Sequence, residues 1–200
     1  MTDAVRLIPA ADSPAAPWGP HARAQVLAAH ACAQATEGVL WRALSLDIHD
    51  GGACPVAQDL DCILMLVTGG PLHWTRIRSA QTTRLEPGSR LYFAAEDPCS
   101  THAAGTPAHL FMLQLLRKQA HGCVDLRSHA QNLPMRAGDT LLHCASGTAL
   151  LRLPAHLGGT RQLETGDTLH ITLAREPAFV VPLEPGDAHS RLIDARVNTF

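Results

Sequence analysis

Short apolar runs alternate with turn-forming residues along the whole chain. Proline (14) and glycine (15) recur so that a turn signal follows roughly every ten to twenty residues. Several runs are continuously apolar, as expected for strands buried on both faces. The pattern therefore predicts an all-β fold with little room for long helices. The predicted strands are Leu40–Ile48, Cys62–Val67, Leu72–Ile77, Ser89–Ala94, Leu110–Leu116, Thr140–Cys144, Ala149–Leu153, Thr168–Leu173 and Ala178–Leu183.

One short pattern recurs in both halves of the chain: an apolar residue, two further residues, Gly, and then Asp or Ser before a new apolar run. It reads LEPGSRLYF from Leu85, MRAGDTLLH from Met135 and LETGDTLHI from Leu163, with a looser copy, LEPGDAHSRLI, from Leu183. We expect the Asp or Ser to cap each turn and the glycines to adopt positive φ. These glycines are Gly88, Gly138, Gly166 and Gly186. Such corners are typical of β-barrels, and their presence in both halves predicts a shared architecture.

The segment from Ala22 to Ala35 is ambiguous. Its alanine-rich composition favours a helix, whereas the spacing around Val26 and Leu27 also suits an edge strand. Composition leaves both structures open.

Composition and charge narrow the classes of partner. A hydrophobic content of 46% over 200 residues is enough for one large domain or two small ones. The net charge is −2 and no run of like charges occurs, so we expect neither nucleic acid nor an acidic membrane surface as a partner. No apolar stretch approaches the roughly 18 to 20 residues that span a bilayer, and the N-terminus lacks a signal-peptide pattern, which predicts a cytoplasmic location.

The twelve histidines do not form a metal-binding pattern. No two are separated by one or by three residues, and the His-x-His arrangement of metal-binding cupins is absent. The chain also lacks a nucleophile elbow, a phosphate loop and a dinucleotide fingerprint. We therefore expect no metal and no cofactor, and we assign no catalytic residue.

Several dipeptides resemble motifs of one family. Pro17-Trp18, Trp41-Arg42 and Asp50-Gly51 match its Pro-Trp, Trp-Arg and Asp-Gly motifs, and Asp61 matches the acidic residue that precedes its apolar strand. In these positions the chain is similar to the HutD/Ves family, bicupin proteins linked by gene context to histidine utilisation or stress response. The resemblance covers nearly the whole chain. It implies a double cupin, with a first cupin-like barrel over residues 1–117 and a second over 118–200 in one compact unit.

Two departures from the family fall at polar positions. Cys54 stands where the family has Ser, and Cys62 stands where it has Arg. A pocket arginine binds a carboxylate through two parallel hydrogen bonds, and a thiol cannot replace it. The resemblance therefore transfers the fold more safely than the ligand.

The two cysteines flank a turn and, by the family alignment, lie with Asp61 near the mouth or interior of the first barrel. Inert lining residues, a reactive pair and a local disulfide are the three alternatives for Cys54 and Cys62. All six cysteines are scattered without a C-x-x-C pair, which favours reduced and mostly buried thiols.

Two arginines are candidate ligand groups. Strand alternation places Trp74 and Arg76 on one face, either as an aromatic wall and a cation in a pocket or as core packing and surface charge. Trp18 and Arg42 are family positions. If Arg42 is buried, it requires a carboxylate partner, for which Asp50 and Asp61 are the candidates. Alternatively, Arg42 faces a ligand, and the sequence leaves both alternatives open.

These residues favour a non-enzymatic or regulatory protein that binds a small carboxylate, by resemblance an intermediate of histidine breakdown. The candidate ligand-binding residues are Trp18, Arg42, Cys54, Asp61, Cys62, Trp74 and Arg76. One alternative is a metal-independent isomerase or lyase with Asp61 as base and Cys54 or Cys62 nearby. Another is a degenerate cupin that acts as an interaction module, and a homodimer remains open.

Overall fold

The computed structural model describes residues 4–177 and 179–200. Within these ranges the only helical segments are two 3-10 turns, Ala10–Asp12 and Ala155–Leu157. No helix in this part of the chain is long and apolar enough to cross a membrane. The all-β prediction is confirmed, and every other regular element is a strand.

All nine strands predicted from apolar runs are present, and ten more accompany them in the described ranges. Residue 178, the first of the last predicted strand, lies outside the described residues. The strands are β1 Ala4–Ile8, β2 Ala15–Ala16, β3 Ala22–Ala31, β4 Val39–Ile48, β5 Gly52–Ala53, β6 Leu60–Gly69, β7 Leu72–Arg76, β8 Gln81–Leu85, β9 Arg90–Ala94, β10 Cys99–Ala103, β11 Ala108–Leu116, β12 Ala120–Arg127, β13 Gln131–Pro134, β14 Gly138–Ser146, β15 Thr148–Arg152, β16 Thr160–Glu164, β17 Thr168–Leu173, β18 Val180–Pro185 and β19 Arg191–Thr199.

The chain divides into two compact units, an N-terminal unit of residues 13–121 and a C-terminal unit that combines residues up to 12 with residues 122–199. The sequence placed the first residues in the first barrel, but β1 pairs antiparallel with β17 of the C-terminal unit, with Leu7 opposite Leu169. This pairing covers a sheet edge that β17 would otherwise expose.

The N-terminal unit packs two sheets around one core. Its six-stranded sheet has the order β2-β3-β4-β11-β6-β9, and its four-stranded sheet has the order β5-β10-β7-β8. Leu44, Leu64 and Met112 of the large sheet share the core with Leu72 and Trp74 of the small one. Because side chains alternate along a strand, Arg42 lies on the same core-facing side of β4 as Leu44.

The C-terminal unit repeats this plan. Its five-stranded sheet has the order β1-β17-β14-β19-β12, and its four-stranded sheet has the order β13-β18-β15-β16. Leu142 and Ile171 of the first sheet share a core with Leu151 and Val181 of the second. Each unit is therefore jelly-roll-like. This agrees with the predicted double cupin of jelly-roll type, in which the two sheets of each unit pack face to face and remain separate sheets.

The ambiguous segment is a strand over Ala22–Ala31. Ala24 is buried between the exposed residues Arg23 and Gln25, and Ala24 pairs with Leu46 on β4. Pairing with a buried strand outweighs the helix propensity of alanine here. The remaining residues turn, with the Ala35 N–H donating to the Cys32 carbonyl at 3.1 Å.

Three of the four repeat glycines adopt the predicted positive φ: +87° at Gly88, +100° at Gly138 and +92° at Gly166. The prediction is wrong for Gly186, whose φ lies outside the left-handed region. At Gly186 the requirement is space instead. A Cβ there would lie 1.9 Å from Thr148 Oγ1.

In two of the three closest copies of the repeat, the polar residue after the glycine caps the turn. Ser89 Oγ accepts from the Glu86 N–H at 3.1 Å, and Asp167 Oδ2 accepts from the Glu164 N–H at 3.0 Å. Asp139 differs, since its Oδ1 lies 2.7 Å from both His170 Nε2 and Thr172 Oγ1 on β17. In this copy of the repeat, the side chain of Asp139 connects β14 to β17.

Candidate functional site

A row of polar side chains crosses the large sheet of the N-terminal unit. Arg42 on β4, Gln114 on β11 and Cys62 on β6 are directly opposite one another on three adjacent strands. Directly opposed residues project to the same side of a sheet. Cys62 belongs to the core, so Arg42 and Gln114 also face the interior.

Hydrogen bonds connect this row. Arg42 Nε donates to Gln114 Oε1, and Gln114 Nε2 donates to Cys62 Sγ at 3.6 Å. The sulfur acceptor holds the amide so that its oxygen faces Arg42. Gln114 is 4% exposed, so its amide is a fixed partner for the guanidinium rather than a mobile surface group.

Arg42 and Gln114 line a cavity of about 420 Å³ within the N-terminal unit. Trp18, Leu44 and the segment Pro55–Ala57 provide apolar walls, and Glu37 provides a further polar group. Among the described residues, no carboxylate lies within 4 Å of the Arg42 guanidinium. The cavity therefore contains an arginine whose charge no protein carboxylate pairs with directly.

The predicted site residues Trp18 and Arg42 lie together in this cavity. Trp18 is buried, and it lies in the connection between β2 and β3. Arg42 pairs with Gln114 rather than with Asp50 or Asp61, the partners that the sequence suggested. The ligand-facing alternative for Arg42 thus remains a prediction that the geometry supports.

Asp61 lies outside the cavity. It adjoins Cys62 on β6 but is exposed, and its Oδ1 accepts from Arg117 Nε at 2.9 Å. Arg117 also pairs with Glu96 at 2.9 Å, and this hydrogen bond holds the pKa of Glu96 below its usual value. The geometry gives no support to Asp61 as a base beside the two cysteines.

Cys54 and Cys62 are buried free thiols. Burial raises the pKa of Cys62 to about 12. Cys54 immediately precedes the Pro55–Ala57 wall and lies opposite Cys99, with the Cys54 N–H donating to the Cys99 carbonyl at 2.9 Å. A hydrogen bond with Cys54, together with burial, raises the pKa of Cys99. The neighbour of Cys54 is therefore Cys99 rather than Cys62.

Trp74 and Arg76 do not line the cavity. Trp74 is buried and packs against Phe93 with ring centroids 4.5 Å apart. Arg76 ends β7 and is exposed. Trp74 therefore belongs to the core and Arg76 to the surface, which is one of the two alternatives that the sequence left open.

Sequence reasoning missed Gln114 and Glu37. Gln114 offered a signal, because it is the single polar residue in the apolar run Leu110–Leu116 and a buried polar residue requires an explanation. Glu37 offered none, since it lies in a polar connection between β3 and β4.

Over residues 4–177 and 179–200, no three His, Cys, Asp or Glu side chains lie together in a way that could hold a metal ion. Metal independence remains a prediction.

The family model HutD matches residues 10–186. The chain belongs to the HutD family. No curated protein matches it.

Solved structures agree with this HutD-family assignment. A conserved protein of unknown function from Pseudomonas aeruginosa PAO1 is similar over 98% of this chain and 99% of its own, with a TM-score of 0.81 and 16% identity. HutD from Pseudomonas fluorescens SBW25 is similar over 98% and 100%, with a TM-score of 0.79 and 16% identity. Bacterial pirin YhhW from Escherichia coli, solved with nickel(II), is similar over 96% of this chain and 98% of its own, with a TM-score of 0.63 and 11% identity. The predicted cupin-type fold is confirmed.

Proposed function

We propose that this HutD-family protein binds a small carboxylate in the cavity beside Arg42, in a regulatory or sensing role. The observation that carries the proposal is the Arg42 guanidinium, which lines the cavity and whose side-chain partner among the described residues, Gln114, is uncharged. A guanidinium that lines a cavity without a protein carboxylate beside it is available to pair with an anionic ligand. A ligand carboxylate matches the planar guanidinium in shape and charge.

The site is also arranged before any ligand arrives. Gln114 accepts a hydrogen bond from Arg42 Nε, and Cys62 fixes the orientation of the Gln114 amide. This leaves the two terminal nitrogens of the guanidinium for a ligand. Holding a binding group in place reduces the entropy lost on association.

The resemblance to HutD makes acids of histidine breakdown the first ligands to test. Where the family has a second arginine, this chain has Cys62, which is buried and uncharged. A charged hydrogen bond contributes about 1.5 to 3 kcal/mol. We therefore propose that this protein binds such acids roughly ten- to a hundredfold more weakly than a site with both arginines.

Calorimetric titration with urocanate, a monocarboxylate of histidine breakdown, tests the proposal. We expect Arg42→Gln to abolish binding or to weaken it at least about tenfold. Arg76→Gln is the matched control, because it removes the same charge from the exposed end of β7. Equal binding by the natural protein and Arg42→Gln would place the site elsewhere.

A further inference from the structure

The cavity of the proposed carboxylate site also contains an acidic residue. Glu37 and Arg42 both line it. Within the described residues the two side chains form no ion pair at 4 Å or less. Glu37 is half-buried, and its Oε1 accepts from the Gln58 N–H at 3.1 Å, which anchors the carboxylate at the cavity wall.

We propose that Glu37 makes the cavity selective for monocarboxylates whose far end is a cation or an N–H donor, and selective against dicarboxylates. This rests on the proposed function, in which Arg42 holds the ligand carboxylate. Glu37 would then meet the other end of the ligand.

The size and charge of the cavity support this selectivity. A volume of about 420 Å³ lies toward the small end of ligand pockets, which favours a small ligand between Arg42 and Glu37. One arginine and one glutamate give the lining no net charge, so a second ligand carboxylate has no second cation to meet. It would instead approach Glu37, and like charges repel each other. A repulsive group of this kind is a common source of specificity.

The binding of three acids with the same four-carbon chain tests the inference: butyrate, 4-aminobutyrate and succinate. By calorimetry at pH 7, we expect 4-aminobutyrate to bind the natural protein most tightly and succinate least tightly, with a separation of about tenfold or more. In Glu37→Gln, we expect the difference between 4-aminobutyrate and succinate to shrink severalfold. A circular dichroism spectrum like that of the natural protein shows that the variant is folded.

Glu86→Gln is the control, because it removes the same charge from an exposed residue outside the cavity, where Glu86 pairs with Arg84. It should preserve the order of the three acids. If the natural protein binds the three acids equally, or if Glu37→Gln keeps the natural order and spacing, the selectivity is wrong while carboxylate binding stands. If no acid binds, or if Arg42→Gln binds butyrate as well as the natural protein does, the proposed function fails as well.

Discussion

Arg42 and Gln114 are opposite one another on β4 and β11, and Arg42 Nε donates a hydrogen bond to Gln114 Oε1. Because Gln114 is neutral, this bond positions the guanidinium without neutralising its charge. An arginine that served only as structural support would more commonly meet a carboxylate when buried. The uncharged partner is the feature that separates a ligand-binding arginine from a structural one here.

Replacing Gln114 with Glu should convert this arrangement into an internal ion pair. We expect Gln114→Glu to weaken carboxylate binding at least about tenfold, because the new carboxylate competes for Arg42. The protein should remain folded, since the two side chains have nearly the same shape. Calorimetric titration with urocanate measures the loss.

Gln81→Glu adds the same charge on β8, where residue 81 is exposed, and it should leave binding unchanged. Undiminished binding by Gln114→Glu would contradict the role of Arg42.

The cysteines give a prediction that separates binding from thiol chemistry. A thiolate is the reactive form of cysteine. Burial raises the pKa of Cys62 to about 12, so it should remain a thiol at pH 8 and become ionised only as the pH approaches 12. Cys123 is exposed, and an aromatic disulfide reagent at pH 8 should label it first.

Peptide mapping after brief labelling of the folded protein measures this order. The Cys123→Ser variant should lose the fastest phase, and Cys54 and Cys62 should react only after unfolding. Rapid native labelling of Cys54 or Cys62 would instead support the enzymatic alternative.

Most of the strands that the sequence predicted contain apolar runs because they are buried. β9 is an exception, since its apolar run contains no buried residue. The strands that it missed are polar or interrupted. In β8 and β16, four of five residues are exposed, so no apolar run marks them. In β19, the charged Asp194 interrupts the apolar residues, although it is completely buried.

The candidate site was predictable only in part, for a similar reason. Trp18 and Arg42 were found because they match family motifs. The contact of Arg42 with Gln114 depends on the register between β4 and β11, which joins residues 72 positions apart. Local patterns do not determine such a register. The carboxylate expected for Arg42 was therefore sought nearby in sequence, at Asp50 and Asp61.

Asp194 itself gives a stability prediction for the C-terminal unit. Its Oδ2 pairs with Arg127 at 2.9 Å and with Arg196 at 2.7 Å, and its side chain is fully buried. Asp194→Ala removes the anion that Arg196 and Arg127 share, and it leaves Arg127 with Asp125 at 3.0 Å. We expect it to lower the free energy of unfolding by about 3 to 5 kcal/mol.

Glu184→Ala is the control, since Glu184 and Arg152 form an exposed pair at 2.8 Å whose loss should cost about 0 to 1 kcal/mol. Urea unfolding should be followed by circular dichroism, because all three tryptophans lie in the N-terminal unit. Similar losses in the two variants would show that the buried network contributes no more than a surface pair.

The position of a bound carboxylate tests the central claim most directly. A crystal structure of the protein with urocanate or 4-aminobutyrate should show the ligand carboxylate about 2.7 to 2.9 Å from the terminal nitrogens of Arg42, in the cavity between Trp18 and Ala57. A ligand bound elsewhere, with this cavity filled only by water, would contradict the account.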